Sequence, residues 1–224
     1  MFVFFHVGDD IAMPTAMVFS IRAHNPDATI IQVTDDKTPA VPGVSRVFVT
    51  QGNRQFLMQW RTNAFAELGL SEPAMYMDTD MIMRHPLDPA AILKSWGPIA
   101  MTRREFNRDA GFNPRQRGQD YSEYTGKTLD EVYPYVGCCT ITADWGVWAD
   151  LAEMYNVLPD KFCVWYGDQE VLREYAKRVK VQDLPESHYA CLPEFLPQHP
   201  DPAIVHYKGA RKALMPSATS APLS

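Results

Sequence analysis

The chain is poor in cysteine, and its few cysteines form no pattern. Cys138, Cys139, Cys163 and Cys191 are the whole set, and no two of them make a CxxC pair. That spacing excludes the common zinc sites and a disulfide framework, and it leaves buried free thiols of a cytoplasmic protein as the expectation. Long apolar runs are also missing. No stretch reaches the roughly 18 residues that a transmembrane segment needs. Met1 to Val7 is apolar, but it has no basic start and Gly8-Asp9-Asp10 cuts it short. It therefore reads as a strand and not as a secretory signal. Positive charge is not in excess: 21 Lys and Arg against 27 Asp and Glu give a net charge of -6. A general attraction to nucleic acid or to an anionic membrane is not expected on that ground. There is no internal repeat, no clear linker and no glycine-rich signature near the first strand.

What remains is a chain of 224 residues with 46% apolar content, ample for a folded core. Phe2 to Val7, Thr29 to Val33 and Val44 to Val49 read as strands. Met13 to His24 and Phe56 to Leu68 read as helices, stopped by Asn25-Pro26 and by Gly69. Ala74 to Met83 reads as one buried strand, followed by a short helix at Pro89 to Lys94 and a strand at Ile99 to Thr102. Later come a strand at Tyr135 to Thr142, helices at Asp144 to Tyr155 and Gly167 to Arg178, and a short strand at Ile204 to His206. Alternating strands and helices predict an α/β fold, a single Rossmann-like domain with a mostly parallel central sheet flanked by helices. We expect it to span residues 1–212, with a flexible tail at 213–224. In such sheets ligands bind at the carboxyl ends of strands. Asp9, Asp10, Asp35, Asp36, Asp78 and Asp80 all fall at or just past such ends.

The most informative segment is Ala74-Met75-Tyr76-Met77-Asp78-Thr79-Asp80-Met81-Ile82-Met83. Two carboxylates inside an apolar run are costly unless something positive pairs with them. A hard divalent cation is the simplest partner. A second segment, His206-Tyr207-Lys208-Gly209-Ala210-Arg211-Lys212, follows apolar Ala203-Ile204-Val205. Histidine at a strand end suits a metal. Gly209 permits a turn with close backbone approach, and Lys212 suits a phosphate oxygen.

Together these motifs resemble those of the GT-A glycosyltransferases, in particular the retaining group that includes glycogenin and the bacterial lipopolysaccharide galactosyltransferases. The resemblance rests on Asp78-x-Asp80, on the HxxGxxK of His206, Gly209 and Lys212, on Asp168-Gln169 opening a helix, and on Arg61 in the helix before the Asp78 strand. It runs in the right order over most of residues 2–212. It implies that Asp78, Asp80 and His206 hold Mn²⁺ or Mg²⁺ bridging a nucleotide-sugar diphosphate. It implies that Lys212 and the Gly209 backbone contact that diphosphate, that Arg61 and Gly137 touch the donor, and that Asp9 or Asp10 sits near base and ribose. Asp168 and Gln169 would lie beside the sugar, as stabilisers of its cation-like carbon. Lys212 and the metal would stabilise the departing diphosphate. The implied activity is hexosyl or pentosyl transfer, from a UDP-sugar by the habit of the group and with retention.

Some features depart from the group. Pro134-Tyr135-Val136-Gly137-Cys138-Cys139 keeps the glycine of the group's Asn-x-Gly motif and lacks the asparagine, so the sugar is left open. The tail lacks a basic or amphipathic membrane-docking extension, which makes a lipid-linked acceptor less expected. Arg103 to Tyr133 shows little periodicity and reads as a loop region or small insertion. Its arginines, Arg103, Arg104, Arg108, Arg115 and Arg117, are interleaved with Phe106, Phe112 and Tyr121. A glycan is the favoured acceptor, with DNA carrying a hydroxylated base as an alternative through Arg103–Arg117. Two other classes compete. An aspartyl phosphatase or phosphotransferase also uses Asp-x-Asp, but at its first strand. A nucleotide-sugar-binding module without turnover would need only part of this set.

Overall fold

The computed structural model describes residues 1–93 and 97–217. In chain order the first half runs β1 (Phe2–Phe5), α1 (Ala12–His24), β2 (Ile30–Thr34), β3 (Arg46–Val49), α2 (Leu57–Leu68), β4 (Ala74–Met77), β5 (Met81–Met83), α3 (Pro89–Leu93) and β6 (Ile99–Arg103). The second half runs β7 (Arg115–Gln116), β8 (Gln119–Asp120), α4 (Leu129–Val132), β9 (Tyr135–Thr142), α5 (Trp145–Asn156), α6 (Asp160–Val164), α7 (Gly167–Tyr175), β10 (Val181–Pro185), α8 (Glu186–Tyr189) and β11 (Ile204–His206).

Seven strands form the main sheet in the order β10-β6-β9-β4-β1-β2-β3. All run parallel except β9, which is antiparallel to both β4 and β6. This is the mostly parallel α/β sheet that the sequence predicts. Alternation of side chains gives each face its own core. Phe2, Phe4, Met75 and Met77 point to the face covered by α1, with Met17, Val18 and Ile21. Val3, Ile31, Val33 and Tyr76 point to the other face, against Trp60, Phe65, Trp148 and Val171 of α2, α5 and α7. Phe65 is fully buried, with its ring 4.7 Å from that of Trp148 and 5.3 Å from that of Tyr76. Burying one such side chain contributes about 2–3 kcal/mol.

Most predicted elements occur within two residues of their expected bounds. The 74–83 strand does not occur as one piece. It breaks at Asp78-Thr79-Asp80 into β4, in the main sheet, and β5, which pairs antiparallel with β11. An unbroken buried strand would leave both carboxylates among apolar neighbours. A turn there brings them to the sheet edge. The helix from Gly167 ends at Tyr175, and β10 follows it in a stretch for which the sequence reading has no strand. Of the predicted helix at Pro89 to Lys94, Lys94 lies outside the described residues. In the expected tail, Ala213 and Leu214 close a short 3-10 helix, Gly209–Leu214, and Met215 packs on the core. Residues 218–224 lie outside the described residues.

The 103–133 region carries order that its sequence does not advertise. It holds the β7–β8 hairpin and α4, whose Thr128 and Glu131 form a reciprocal capping box. Phe112, Tyr121, Tyr124, Val132, Tyr133 and Phe162 make a separate apolar cluster. Phe112 lies at its centre, with ring centroids of Tyr124, Tyr133 and Tyr166 at 5.6, 5.8 and 5.4 Å. Phe112→Ala is expected to lower stability by about 3 kcal/mol or more. Urea unfolding checks this; an unchanged midpoint would mean that the cluster is not an integral part of the fold.

Candidate active site

The site is assembled where β4 and β11 end. Parallel pairing of β1 with β4 and antiparallel pairing of β4 with β9 fix the backbone of Tyr76 and Met77. The Asp78 N–H then donates to Cys138 O at 2.9 Å. On the far side of the turn, β5 pairs with β11 so that Met81 faces His206, and Tyr207 N donates to Asp80 O at 2.8 Å. Two carboxylates and an imidazole that are distant in the chain thus converge.

One ligand atom each from Asp78, Asp80 and His206 lies within 4.8 Å of the others. His206 Nε2 stands 3.2 Å from Asp80 Oδ1 and 4.0 Å from Asp78 Oδ2. Lys212 Nζ, on the turn after Gly209, stands 3.2 Å from Asp80 Oδ2. Gly209 itself has φ +65°, a conformation in which most residues are strained. The donor set is chemically suited to a divalent cation: two hard carboxylate oxygens plus one imidazole nitrogen, the mixture that Mn²⁺ accepts and Mg²⁺ tolerates. The His206 Nδ1 atom is buried and has no protein partner, so the ring is held by its backbone and by what lies at Nε2.

The two carboxylates differ in environment. Burial raises the Asp78 carboxyl above its ordinary range, with Arg61 opposing and Asp80 adding to the rise. Burial also acts on Asp80, but hydrogen bonds and charge from His206 and Lys212 outweigh it and lower the carboxyl. Asp80 is therefore the firmer anion in the metal-free site.

Arg61 ties the site to the helical face. It is 5% exposed, on α2. Its Nη1 donates to Tyr76 Oη at 2.7 Å and lies 3.6 Å from Asp78 Oδ1, and its Nη2 donates to Asp168 Oδ2 at 3.0 Å. Tyr76 Oη in turn donates to Asp78 Oδ1. Burial alone would lower the Arg61 pKa, but Tyr76, Asp168 and Asp78 outweigh it, and the guanidinium stays charged. Asp168 has both oxygens engaged, since Gln169 N donates to Oδ1 at 2.8 Å. Gln169 Oε1 accepts from Arg104 Nη2 at 3.0 Å. Gly137 on β9 faces Asp168: a Cβ there would stand 2.6 Å from Asp168 Oδ2. The glycine is thus explained by close approach.

Asp78, Asp80, His206, Lys212, Arg61, Asp168, Gln169 and Gly137 therefore belong to one connected edge of the sheet. Asp9 and Asp10 follow β1 on that same edge and are exposed, and Asp10 Oδ1 accepts from Ala12 N as α1 begins. Asp35 is a buried structural anion. Burial alone would raise its carboxyl, but Thr38, Arg54 and backbone N–H groups hold it low. Asp36 is exposed. The sequence reading passes over Tyr76, buried Glu186, Lys208 and the individual role of Arg104. Tyr76 has a signal, as the one polar-tipped side chain on the strand before the motif. Glu186 has none.

The sheet, its single antiparallel strand and the acidic turn at its edge define the GT-A fold of glycosyltransferases. No family model and no curated protein matches the chain. Among solved structures it is similar to the galactosyltransferase LgtC in complex with donor and acceptor sugar analogs, with TM-score 0.61 and 17% identity over 94% of this chain and 88% of that one. It is similar to an active-site mutant of LgtC, with TM-score 0.59 and 15% identity over 93% and 88%. The apo bifunctional glycosyltransferase WbbM gives TM-score 0.59 and 14% identity, over 93% of this chain and 45% of that one. At such identities the likeness is one of fold.

Gly137→Ala is expected to displace Asp168 and to cost about 1–3 kcal/mol. Combined with Asp168→Ala, the cost should shrink to a few tenths, because the clash is gone. Equal costs in both backgrounds, read from urea unfolding, would place the clash elsewhere.

Proposed function

We propose that this chain is a metal-dependent glycosyltransferase that moves a sugar from a nucleotide diphosphate sugar, a UDP-sugar, to a glycan hydroxyl with retention at the sugar carbon. The observation that carries the reading is the convergence of Asp78, Asp80 and His206, with Lys212 beside Asp80, at the edge of a GT-A sheet. The three ligands hold Mn²⁺ or Mg²⁺. That ion, when bound, neutralises charge growing on the diphosphate. Lys212 and the Gly209 backbone meet the same diphosphate. Asp9 or Asp10 meets base and ribose, and Gly137, which leaves room for the Asp168 carboxylate, lies beside the donor sugar.

Asp168 and Gln169 act at the sugar. An Asp168 whose two oxygens already accept from Arg61 and from Gln169 N is a weak nucleophile and a good electrostatic stabiliser of a cation-like carbon. Arg61 positions both Asp168 and Asp78. The engagement of Asp78 by Tyr76 speaks against the aspartyl-phosphatase reading, which needs a free attacking carboxylate. Arg103 and Arg108 both pair with Asp130, at 3.1 and 3.4 Å, and Arg104 is buried. A glycan acceptor is favoured over DNA because only Arg115 and Arg117 of that run remain for a phosphate backbone. No helix among the described residues is long and apolar enough to cross a membrane, and we place the protein in the cytoplasm.

Thermal unfolding with UDP and Mn²⁺ tests the site. Ligand at about 100 times its dissociation constant stabilises by about 2.7 kcal/mol, several degrees for a chain of this size. The shift should vanish in EDTA and in Asp80→Asn. A shift that survives both would remove the metal assignment. UDP release from UDP-sugars separates an enzyme from a binding module. Lys212→Ala should depress that release more than it weakens binding of uridine, and equal losses would deny Lys212 its diphosphate role.

A further inference from the structure

Asp78 and Asp80 offer their oxygens to the site in different ways. Both oxygens of Asp80 face partners within the site: Oδ1 lies 3.2 Å from His206 Nε2, and Oδ2 lies 3.2 Å from Lys212 Nζ. Asp78 divides its two. Oδ2 lies 4.0 Å from His206 Nε2, whereas Oδ1 turns into the protein and accepts from Tyr76 Oη.

The direction of that bond is fixed by Arg61. A guanidinium can only donate. Arg61 Nη1 donates to Tyr76 Oη at 2.7 Å, so the phenol oxygen accepts there and turns its own proton to Asp78. The phenol itself is held. Tyr76 is 3% exposed, on β4, with its ring centroid 5.3 Å from that of Phe65 and 6.2 Å from that of Trp148. The Arg61 guanidinium carbon lies 4.7 Å from the same centroid. Arg61 is tied on its other side, where Nη2 donates to Asp168 Oδ2 at 3.0 Å. Asp168, Arg61, Tyr76 and Asp78 thus form one hydrogen-bonded chain whose two middle members are buried.

A carboxylate that stays bonded through Oδ1 meets an ion through Oδ2 alone. Without a fixed donor its terminal torsion is broad, and ordering it would count against binding. We infer that Tyr76 is a positioning residue for the metal: its hydroxyl holds Oδ1 and so presents Asp78, through Oδ2, as a one-oxygen ligand. Carboxylates that bind metals are commonly oriented by such neighbours. The inference rests on the metal part of the proposed function and makes no use of the sugar or the acceptor.

Mn²⁺ binding tests it apart from turnover. Tyr76→Phe keeps the ring and removes only the hydroxyl. Mn²⁺ is titrated into each protein, alone and with UDP, and the free ion is followed by electron paramagnetic resonance. Thermal unfolding in EDTA shows that each protein is folded at the titration temperature. The Mn²⁺ dissociation constant of Tyr76→Phe should rise about tenfold or more. Phe65→Leu disturbs the same packing without touching the hydroxyl, and it should keep wild-type affinity. Equal losses in the two variants would assign the effect to packing and overturn the inference. So would wild-type affinity in Tyr76→Phe.

A measurement on the wild-type protein covers the case in which Tyr76→Phe does not fold. The buried Tyr76 hydroxyl proton, assigned from its contacts with its own ring protons, is followed by NMR in EDTA and with Mg²⁺ and UDP. It should persist at a hydrogen-bonded shift on loading. Its loss would mean that Asp78 turns Oδ1 to the ion, which also overturns the inference. A wild-type protein that binds no Mn²⁺, with or without UDP, removes the metal reading itself. Mn²⁺ binding that depends on Tyr76, without release of UDP from any UDP-sugar, keeps the inference and removes the transferase reading.

Discussion

The site depends on one buried guanidinium. Arg61 sits on α2 where it meets β4 and α7, and its partners come from β4, the turn after it and α7. A buried charge of this kind is stable only when its hydrogen bonds are met and its neighbours are anionic. Asp168 and Asp78 supply the anions, and Tyr76 supplies the neutral bridge between Arg61 and Asp78. Removing Arg61 would leave Asp168 and Asp78 facing each other across a low-dielectric gap. The same contact that completes the second core therefore sets where both carboxylates stand. Its Nε remains buried without a partner, so the fold tolerates an unmet donor to keep the other contacts in place.

A second buried ion completes the frame from the opposite side. Glu186 reaches from α8 to the backbone after β6 and to Lys208 after β11. Arg61 holds the β4 side of the edge against α7, and Glu186 holds the β6 side against the chain that carries His206. The His206 strand is short and paired only with β5 in its sheet. Its position comes from Cys191 O, which accepts from His206 N at 2.8 Å, and from Asp80 O, which accepts from Tyr207 N. Three residues of strand are thus enough, because their neighbours on both sides are fixed.

The sheet was legible in the sequence wherever an apolar run ended in a turn signal. Tyr135 to Thr142 and Ile204 to His206 read with their observed bounds, and Gly69 ends α2 with φ +65° as its position suggests. The Asp78-Asp80 pair was legible as an anomaly of charge in an apolar run. Its splitting into two sheets was not, because Met81-Ile82-Met83 continues the same apolar pattern and only the pairing with β11 decides. The 103–133 segment hid its order for a different reason. Its core is aromatic and tyrosine-rich, and those tyrosines meet Phe112 at irregular spacing, so no period of 2 or 3.6 marks them. Arg104 reads in the sequence as one of several basic residues. Only its burial separates it from Arg103 and Arg108, which share Asp130 near the surface.

Charge balance links the frame to the proposed chemistry. Three carboxylates at the edge, Asp78, Asp80 and Asp168, face Arg61, Lys212 and the His206 ring. Arg61 is buried and bound to rigid elements, while Lys212 is half exposed on a short 3-10 helix and, among the described residues, its ion pair is with Asp80. A divalent ion arriving between Asp78, Asp80 and His206 would compete with Lys212 for Asp80, because like charges so close repel. Lys212 is the more exposed of the two cations, and on the proposed reading a diphosphate would offer it a new partner. On the proposed reading, the metal-free contact between Lys212 and Asp80 keeps the acidic turn compensated until metal and donor arrive. On that reading the same ammonium would then pair with the diphosphate as it departs.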